Sequence, residues 1–194
     1  VDGDRWFAPS ETAPPMTNIA ECAPDFPLCN IAIAVYYDTV PLLKVSSKAA
    51  VNTSGGFFYD PATRRIYIGK TPTSHSVEVT TTQHAFSGSV ANVLIKDIGI
   101  RRYGSKLQEA AIYAANASGW TIDNATVVGN YAVGIDVGSK GTIRNSTISG
   151  NGELGIACGG TGITIADNRI TDNGHWAGLD PAWEGGGFKC TEVY

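Results

Sequence analysis

Side chains able to do acid–base chemistry gather in two parts of the sequence. The first part is a row of equivalent positions in a repeated segment, Tyr113, Asp136 and Lys189. The second is the segment 173–186, whose candidate residues are His175, Trp176, Asp180, Trp183 and Glu184. Carboxylates can serve as general acid and base, and lysine, histidine or tyrosine can remove a proton. Aromatic rings beside carboxylates are typical of sugar sites, so both parts predict carbohydrate chemistry.

The row is predicted from apolar alternation in short runs such as 133–137 (VGIDV), which is the period of a strand. The positions expected to point inward are Ile112, Ile135, Ile156 and Phe188. The residues that follow them are expected to point outward: Tyr113, Asp136, Ala157 and Lys189. The residues before them are expected to form an outer strip of small residues: Ala111, Gly134, Gly155 and Gly187. A sugar chain would lie on this strip, with the ring of Tyr113 stacked on it.

A repeat supplies the scaffold for these positions. NATVVGNYAVGIDV begins at Asn124 and NSTISGNGELGIAC begins 21 residues later, at Asn145. Such a period predicts a solenoid, and the alternation within it predicts strands. We therefore predict a parallel β-helix in which identical apolar residues stack inside successive coils. The recurring Asn130, Asn151 and Asn173 are expected to form a structural ladder between coils.

The first part of the chain does not repeat. Residues 31–37 (IAIAVYY) predict a buried strand and residues 55–69 a hairpin around a DPAT turn. Residues 77–82 (VEVTTT) predict a further strand, a candidate for the first coil. We therefore divide the chain into an N-terminal β cap at 1–75, covering the open end of the helix, and coils at 76–194.

The C-terminal end shows no comparable cap, because the chain stops at Tyr194 within or just after a coil. The coils are therefore expected to be incomplete. Such an end exposes unpaired backbone groups and an apolar core. We expect it to self-associate or to be covered by a continuing chain.

Composition excludes several classes of partner. The 194 residues carry a net charge of −4, which argues against a broad phosphate-binding surface and hence against nucleic acid. Arg101 and Arg102 are expected to be solvated charges on a turn. No apolar run reaches the length of a membrane span, and the pattern of a signal peptide is not expected in this sequence. The start at Val1 fits a mature or trimmed chain.

The four cysteines form two candidate pairs. Cys22 and Cys29 flank a proline-rich loop that a disulfide would staple. Cys158 and Cys190 occupy one position in successive coils, about 4.8 Å apart, which is within disulfide range. Two stacked thiols are the alternative. The even count without metal-ligand spacing indicates an oxidising compartment and a secreted protein, and it predicts no zinc site.

The order of the motifs adds a family resemblance. A hairpin (FFYDPATRRIYIGKTP) is followed by SVANVLIKDIGIRRYGS, by Asn/Gly coils and by AWEGGGFKC. This order resembles bacterial secreted proteins with right-handed parallel β-helix repeats, in the pectin-lyase-like superfamily. The resemblance implies an all-β solenoid with an N-terminal hairpin cap that acts on or binds polysaccharide. Chains of this kind usually continue for several coils, so this one looks like an N-terminal fragment.

Within that superfamily the resemblance implies polysaccharide lyases, glycoside hydrolases, uronan epimerases or phage tailspikes, and no characterised catalytic motif is present. A hydrolase needs two carboxylates, for which Asp136, Asp180 and Glu184 are candidates. A lyase needs a base, for which Lys189, His175 and Tyr113 are candidates, together with a group that neutralises a uronate, often Ca²⁺. Two further alternatives remain open: the loop 173–186 merely covers a coil, and the solenoid is structural or adhesive.

Overall fold

The computed structural model describes residues 3, 5–10, 13–17 and 22–191. Nearly all regular structure in this part is β. The strands of the N-terminal part are β1 (Trp6–Pro9), β2 (Val35–Tyr37), β3 (Val40–Pro41), β4 (Leu43–Lys44), β5 (Gly56–Asp60), β6 (Arg65–Ile68) and β7 (Val77–Val79), with a 3₁₀ turn at Lys48–Ala50. They form two small sheets, ordered β1-β6-β5-β4 and β3-β2-β7.

The remaining strands wind into coils. They are β8 (Phe86–Ser87), β9 (Leu94–Lys96), β10 (Gly99–Arg101), β11 (Ala110–Ala114), β12 (Thr121–Asp123), β13 (Thr126–Val128), β14 (Val133–Val137), β15 (Thr142–Arg144), β16 (Thr147–Ser149), β17 (Leu154–Gly159), β18 (Thr164–Ala166), β19 (Arg169–Thr171) and β20 (Gly186–Thr191). One short helix, α1 (Pro181–Glu184), precedes β20. Three parallel sheets result, ordered β8-β11-β14-β17-β20, β9-β12-β15-β18 and β10-β13-β16-β19. The predicted parallel β-helix is confirmed.

Equivalent apolar residues of successive repeats stand opposite one another, as predicted. Ile122 pairs with Ile143, Val127 with Ile148, and Ile135 with Ile156. These six residues are fully buried in one interior cluster. A coil has no second layer of its own, so the stacking of neighbours is what removes these side chains from water.

The asparagine ladder is also confirmed. Asn130 Nδ2 donates to Asn151 Oδ1 at 2.8 Å, and Asn151 Nδ2 donates to Asn173 Oδ1 at 2.9 Å. The same oxygens accept the backbone N–H groups of Asn130 and Asn151 at 3.1 and 3.0 Å. All three side chains are buried, so each amide satisfies buried polar groups that water does not reach.

The N-terminal part agrees with the sequence in its hairpin and differs at β7. Strands β5 and β6 pair antiparallel around a turn whose Asp60 accepts the backbone N–H of Ala62 at 3.0 Å. Strand β7 pairs antiparallel with β2. The interpretation of 77–82 as a candidate first coil is therefore wrong, and the first coil strand is β8. Alternation alone does not distinguish a strand of a small antiparallel sheet from a coil strand.

The N-terminal part contacts the turns of several coils along the side of the helix. Tyr36 Oη donates to the carbonyl of Gly129 at 2.5 Å, and Tyr131 Oη donates to that of Cys29 at 2.6 Å. Cys22 forms an antiparallel bridge with Leu179, further along the chain. That residues 1–75 cover the end of the helix stays a prediction.

Both predicted disulfides are present. The Cα atoms of Cys22 and Cys29 are 5.4 Å apart, and those of Cys158 and Cys190 are 4.4 Å apart. The second bond joins β17 to β20, the last strand of its sheet. On β20, the ring of Phe188 occupies an interior position and is 61% exposed. Tyr194, where we expected an open end, lies outside the described residues.

Candidate functional site

The outer face of the five-stranded sheet carries the predicted row. Tyr113 stands opposite Asp136, Asp136 opposite Ala157, and Ala157 opposite Lys189, as expected. Above this row lies a cavity of about 310 Å³. Its lining residues are Gln108, Ala115, Val133, Asp136, Leu154, Ala157, Cys158, Gly159, Glu184, Lys189 and Thr191. The structure thus brings all three candidate catalytic residues, Asp136, Glu184 and Lys189, into one cavity.

The predicted strip of small residues is wrong for Ala111, Gly134 and Gly155. Ala111 is fully buried in the interior cluster. A Cβ on Gly134 would lie 2.8 Å from Asn151 Nδ2, and one on Gly155 would lie 2.8 Å from Asn173 Nδ2. Strict alternation fails because two consecutive positions of β11, β14 and β17 face inward, while Gly187 on β20 is exposed. The small residue leaves room for the asparagine ladder.

The outer floor consists instead of the residues one position earlier. Ala110, Val133 and Leu154 form a small buried apolar cluster, against which Tyr113 and Ala157 pack. Val133 and Leu154 line the cavity. The site therefore has an apolar floor, whereas the sequence predicted a strip of small residues.

Asp136 is a buried carboxyl group on this floor. It is 9% exposed, and burial raises the pKa of its carboxyl group to about 6. No described residue donates a hydrogen bond to it. A carboxyl group with this pKa keeps its proton in mildly acidic solution, and its oxygen atoms remain available to a bound molecule.

Glu184 and Lys189 form an ion pair at the edge of the cavity, where Lys189 Nζ donates to Glu184 Oε1. The side chain of Glu184 is 12% exposed and that of Lys189 is 52% exposed. Glu184 is the last residue of α1, whose N-cap is Asp180; the Asp180 carboxylate accepts the backbone N–H of Ala182 at 2.8 Å. Asp180, predicted to bind substrate, thus caps the helix that presents Glu184.

A further carboxylate, Glu153, was not predicted. Its side chain is fully buried, and both of its oxygens accept hydrogen bonds from Gln108: the backbone N–H at 2.9 Å and Nε2 at 2.6 Å. Burial raises the pKa of Glu153 to about 7, the Gln108 hydrogen bonds oppose this, and the charges of Glu184 and Asp136 add to it. The sequence feature that could have identified Glu153 is a break in the repeat, because Glu153 stands where the preceding repeat has Ala132.

Tyr113 stands beside a second unpredicted residue, His84. The two rings stack with centroids 5.4 Å apart. His84 Nδ1 is 2.8 Å from the carbonyl oxygen of Ala110, and its Nε2 is 3.4 Å from Glu109 Oε2. Burial raises the pKa of the Tyr113 hydroxyl, and the carboxylates of Asp136 and Glu109 raise it further. The stacked rings continue the outer face one coil before Asp136.

The other predicted substrate-binding residues do not line this cavity. Trp176 contacts the rings of Tyr36 and Tyr131 edge-on, at 6.2 and 5.8 Å, and its Nε1 donates to the carbonyl of Gly150 at 2.7 Å. Trp183 is half-buried against the apolar cluster that contains Tyr36 and Tyr131. His175 is exposed. The two tryptophans pack on neighbouring elements, which is the alternative we considered for this loop.

The described residues do not contain a preformed metal-binding group. Among residues 3, 5–10, 13–17 and 22–191, no set of three or more His, Cys, Asp and Glu side chains is arranged to hold a metal ion. The Ca²⁺ expectation therefore stays a prediction without assigned ligands. In the same part of the chain no helix is long and apolar enough to cross a membrane.

Comparison with known proteins supports the fold. A family model described as a right handed beta helix region matches residues 110–192. A solved structure, "The complex structure of XylC with xylose", superposes with a TM-score of 0.69 at 13% sequence identity. The match covers 89% of this chain and 40% of that one. No curated protein matches. The expected right-handed parallel β-helix is therefore confirmed.

Proposed function

We propose that this protein is an extracellular glycoside hydrolase whose active site is the cavity on the outer face of the five-stranded sheet. One observation carries the proposal. A carboxyl group with a raised pKa, Asp136, and an ion-paired carboxylate, Glu184, line the same cavity. Two carboxyl groups in different protonation states are what hydrolysis of a glycosidic bond requires.

Asp136 is assigned as the general acid. It gives its proton to the glycosidic oxygen as the bond from that oxygen to the anomeric carbon breaks, and the bonding electrons stay with the oxygen. Glu184 acts on the opposite side of the sugar ring. It either accepts a proton from the attacking water or bonds to the anomeric carbon before water displaces it, and the carboxyl separation decides which.

Lys189 and Glu153 support these roles. Lys189 donates to Glu184 and orients its carboxylate. Because Lys189 Nζ is engaged by Glu184 Oε1, it is not positioned as a free base for a lyase reaction. Glu153 fixes Gln108, which lines the cavity. The hydrolase is therefore the better of the two enzyme hypotheses.

A sugar polymer is the substrate class that the surface favours. The floor is apolar at Val133 and Leu154, and the rings of Tyr113 and His84 continue the same face. Such surfaces suit the apolar faces of sugar rings, while the charged groups bind hydroxyls. A structure of the same fold contains xylose, so xylan is the first polymer to test. The two disulfides fit an extracellular location.

The test measures release of reducing ends from xylan, pectate and neutral glucans, each with Ca²⁺ and with a chelator. Asp136→Asn and Glu184→Gln should each lower turnover by a factor of about 100 to 10,000. His175→Ala is the matched control, since His175 is exposed and does not line the cavity. An ultraviolet-absorbing unsaturated product would indicate a lyase. Cleavage unchanged in both carboxyl variants would overturn the assignment.

A second candidate, a solenoid that associates through its last strands, rests on one observation. β18, β19 and β20 are the last strands of their sheets, and Phe188 on β20 is largely exposed. An edge of this kind can pair with strands of a second copy or of a continuing chain. Light scattering tests it: association that Phe188→Glu abolishes would support it, and a clean monomer at high concentration counts against it.

A further inference from the structure

A second cavity, of about 370 Å³, lies on a different side of the molecule. Its lining residues are Tyr36, Thr39, Pro41, Arg101, Arg102, Val128, Gly129, Ser149, Gly150 and Trp176. None of them lines the first cavity. Its floor belongs to the sheet β10-β13-β16-β19, and its wall belongs to β2, β3 and the loop after β19.

The floor displays three different side chains from three successive coils. Arg101 stands opposite Val128, and Val128 stands opposite Ser149. Neighbouring strands are about 4.8 Å apart, so the three side chains extend over roughly the length of one to two sugar rings. A cation, an apolar group and a hydroxyl are thus presented in line.

The wall is held in place by hydrogen bonds from its aromatic residues. Tyr36 Oη donates to the carbonyl of Gly129, and Trp176 Nε1 donates to that of Gly150. Burial raises the pKa of the Tyr36 hydroxyl, so it stays a donor at physiological pH. These bonds link β2 and the loop to adjacent turns of the coils, so the cavity is formed before any ligand arrives.

The two arginines differ in how much charge they leave available. Arg102 forms an ion pair with Glu78 and packs over the ring of Tyr36, with only 13% of its side chain exposed. The prediction that it is a solvated turn charge is therefore wrong. Arg101 is exposed and forms no ion pair within salt-bridge distance among the described residues, although its charge also helps to lower the pKa of Glu78. Two arginines thus share one carboxylate. One positive charge is thus left over at the cavity.

We infer that this second cavity binds a carboxylate-bearing sugar residue, a uronate, of an acidic polysaccharide. Arg101 takes the carboxylate through two N–H groups, Ser149 and Thr39 offer hydroxyls, and Val128 with Trp176 receives the apolar face of the ring. The inference shares only the polysaccharide class with the proposed function and does not depend on hydrolysis.

The test uses the Asp136→Asn protein, which keeps the second cavity and should not degrade the probe. Titration calorimetry compares a glucuronate-substituted xylo-oligosaccharide with its carboxyl-reduced form. Arg101→Gln should weaken binding of the acidic probe by about tenfold, which corresponds to about 1.4 kcal/mol. Ser149→Trp, which fills the cavity and leaves Arg101 intact, should also abolish binding. Added salt should weaken binding, because the contact is ionic.

Controls separate this site from the first cavity and from plain anion binding. Arg169→Gln removes an exposed arginine of the same sheet that does not line the cavity, so it should not change the affinity. Ser149→Trp leaves the first cavity intact, so its loss of binding separates the two sites. Equal affinity for the carboxyl-reduced probe, an unchanged affinity in Arg101→Gln, or equal competition by inorganic sulfate would each overturn the inference. Hydrolysis by the parent protein is measured separately, so failure of one proposal leaves the other standing.

Discussion

The inner and outer faces of the five-stranded sheet follow opposite rules on the same strands. Inside, the chain places Ile112, Ile135 and Ile156 one above the other, all fully buried. Outside, the next residue changes in every coil, from Tyr113 to Asp136 to Ala157. The inner face repeats because each coil must bury the same apolar positions against its neighbours. The outer face is free of that requirement, so its residues can differ between coils without loss of interior packing.

The largest stability effect should come from the inner face. Ile135→Ala should lower the free energy of unfolding by about 2–5 kcal/mol, because it removes buried methyl groups and leaves a cavity between two coils. Ala157→Ser, on the outer face of the neighbouring strand, should change it by less than about 0.5 kcal/mol. Chemical denaturation measures both, and similar values for the two variants would break the comparison.

The asparagine ladder should behave like the inner face although it is polar. Asn151→Ala should cost about 3 kcal/mol, because Asn130 loses its acceptor and the carbonyl of Val127 loses a donor, all in the interior. Asn116→Ala, at an exposed position, is the matched control and should be nearly neutral. A small cost at Asn151 would mean that the ladder is replaceable by water.

Asp136 should destabilise the fold at high pH, in contrast to the isoleucines beside it. Burial raises its pKa from 3.8 to about 6, so the folded state holds the proton more tightly than the unfolded state. Stability therefore falls as the pH rises between these values and is lowest, by up to about 3 kcal/mol, above them. Asp136→Asn should be more stable than the parent at pH 8 and equal at pH 3. Parallel curves of stability against pH would contradict the raised pKa.

The smallest effect should come from the ion pair at the rim of the site. Lys189→Gln should change the free energy of unfolding by less than about 1 kcal/mol, because its side chain is half exposed and such pairs contribute little. Turnover should change more than stability, since Glu184 loses the group that orients it. A large loss of stability would show that the outer face contributes to the fold.

The repeat made the inner face predictable. The rows of isoleucine, the asparagine ladder and the Cys158–Cys190 bond all follow from placing equivalent residues on adjacent strands. The assignment of Ala111 and its equivalents failed, because the ladder requires two consecutive inward positions in each strand. Predictions from the sequence pattern succeed where equivalent residues stack in every coil. They fail where a strand departs from the two-residue alternation.

The site could be predicted only in part. Asp136, Glu184 and Lys189 were found because they are charged residues on an expected face or loop. Glu153 was missed, since its partner Gln108 is 45 positions away and no local pattern connects them. The sequence placed both tryptophans of the loop with the carboxylates, whereas Trp183 packs on neighbouring elements and Trp176 lines the second cavity, because composition does not fix where a loop side chain packs.

The Cys158–Cys190 bond gives the helix a mechanical property. A pull applied at Cys190 passes directly to β17 through the covalent bond, so the chain between the two cysteines carries no load. Its 32-residue separation corresponds to roughly 110 Å of fully extended chain, which stays hidden until the bond is reduced. A chain stretched from its C-terminal side would thus lengthen by this amount only after the bond is reduced.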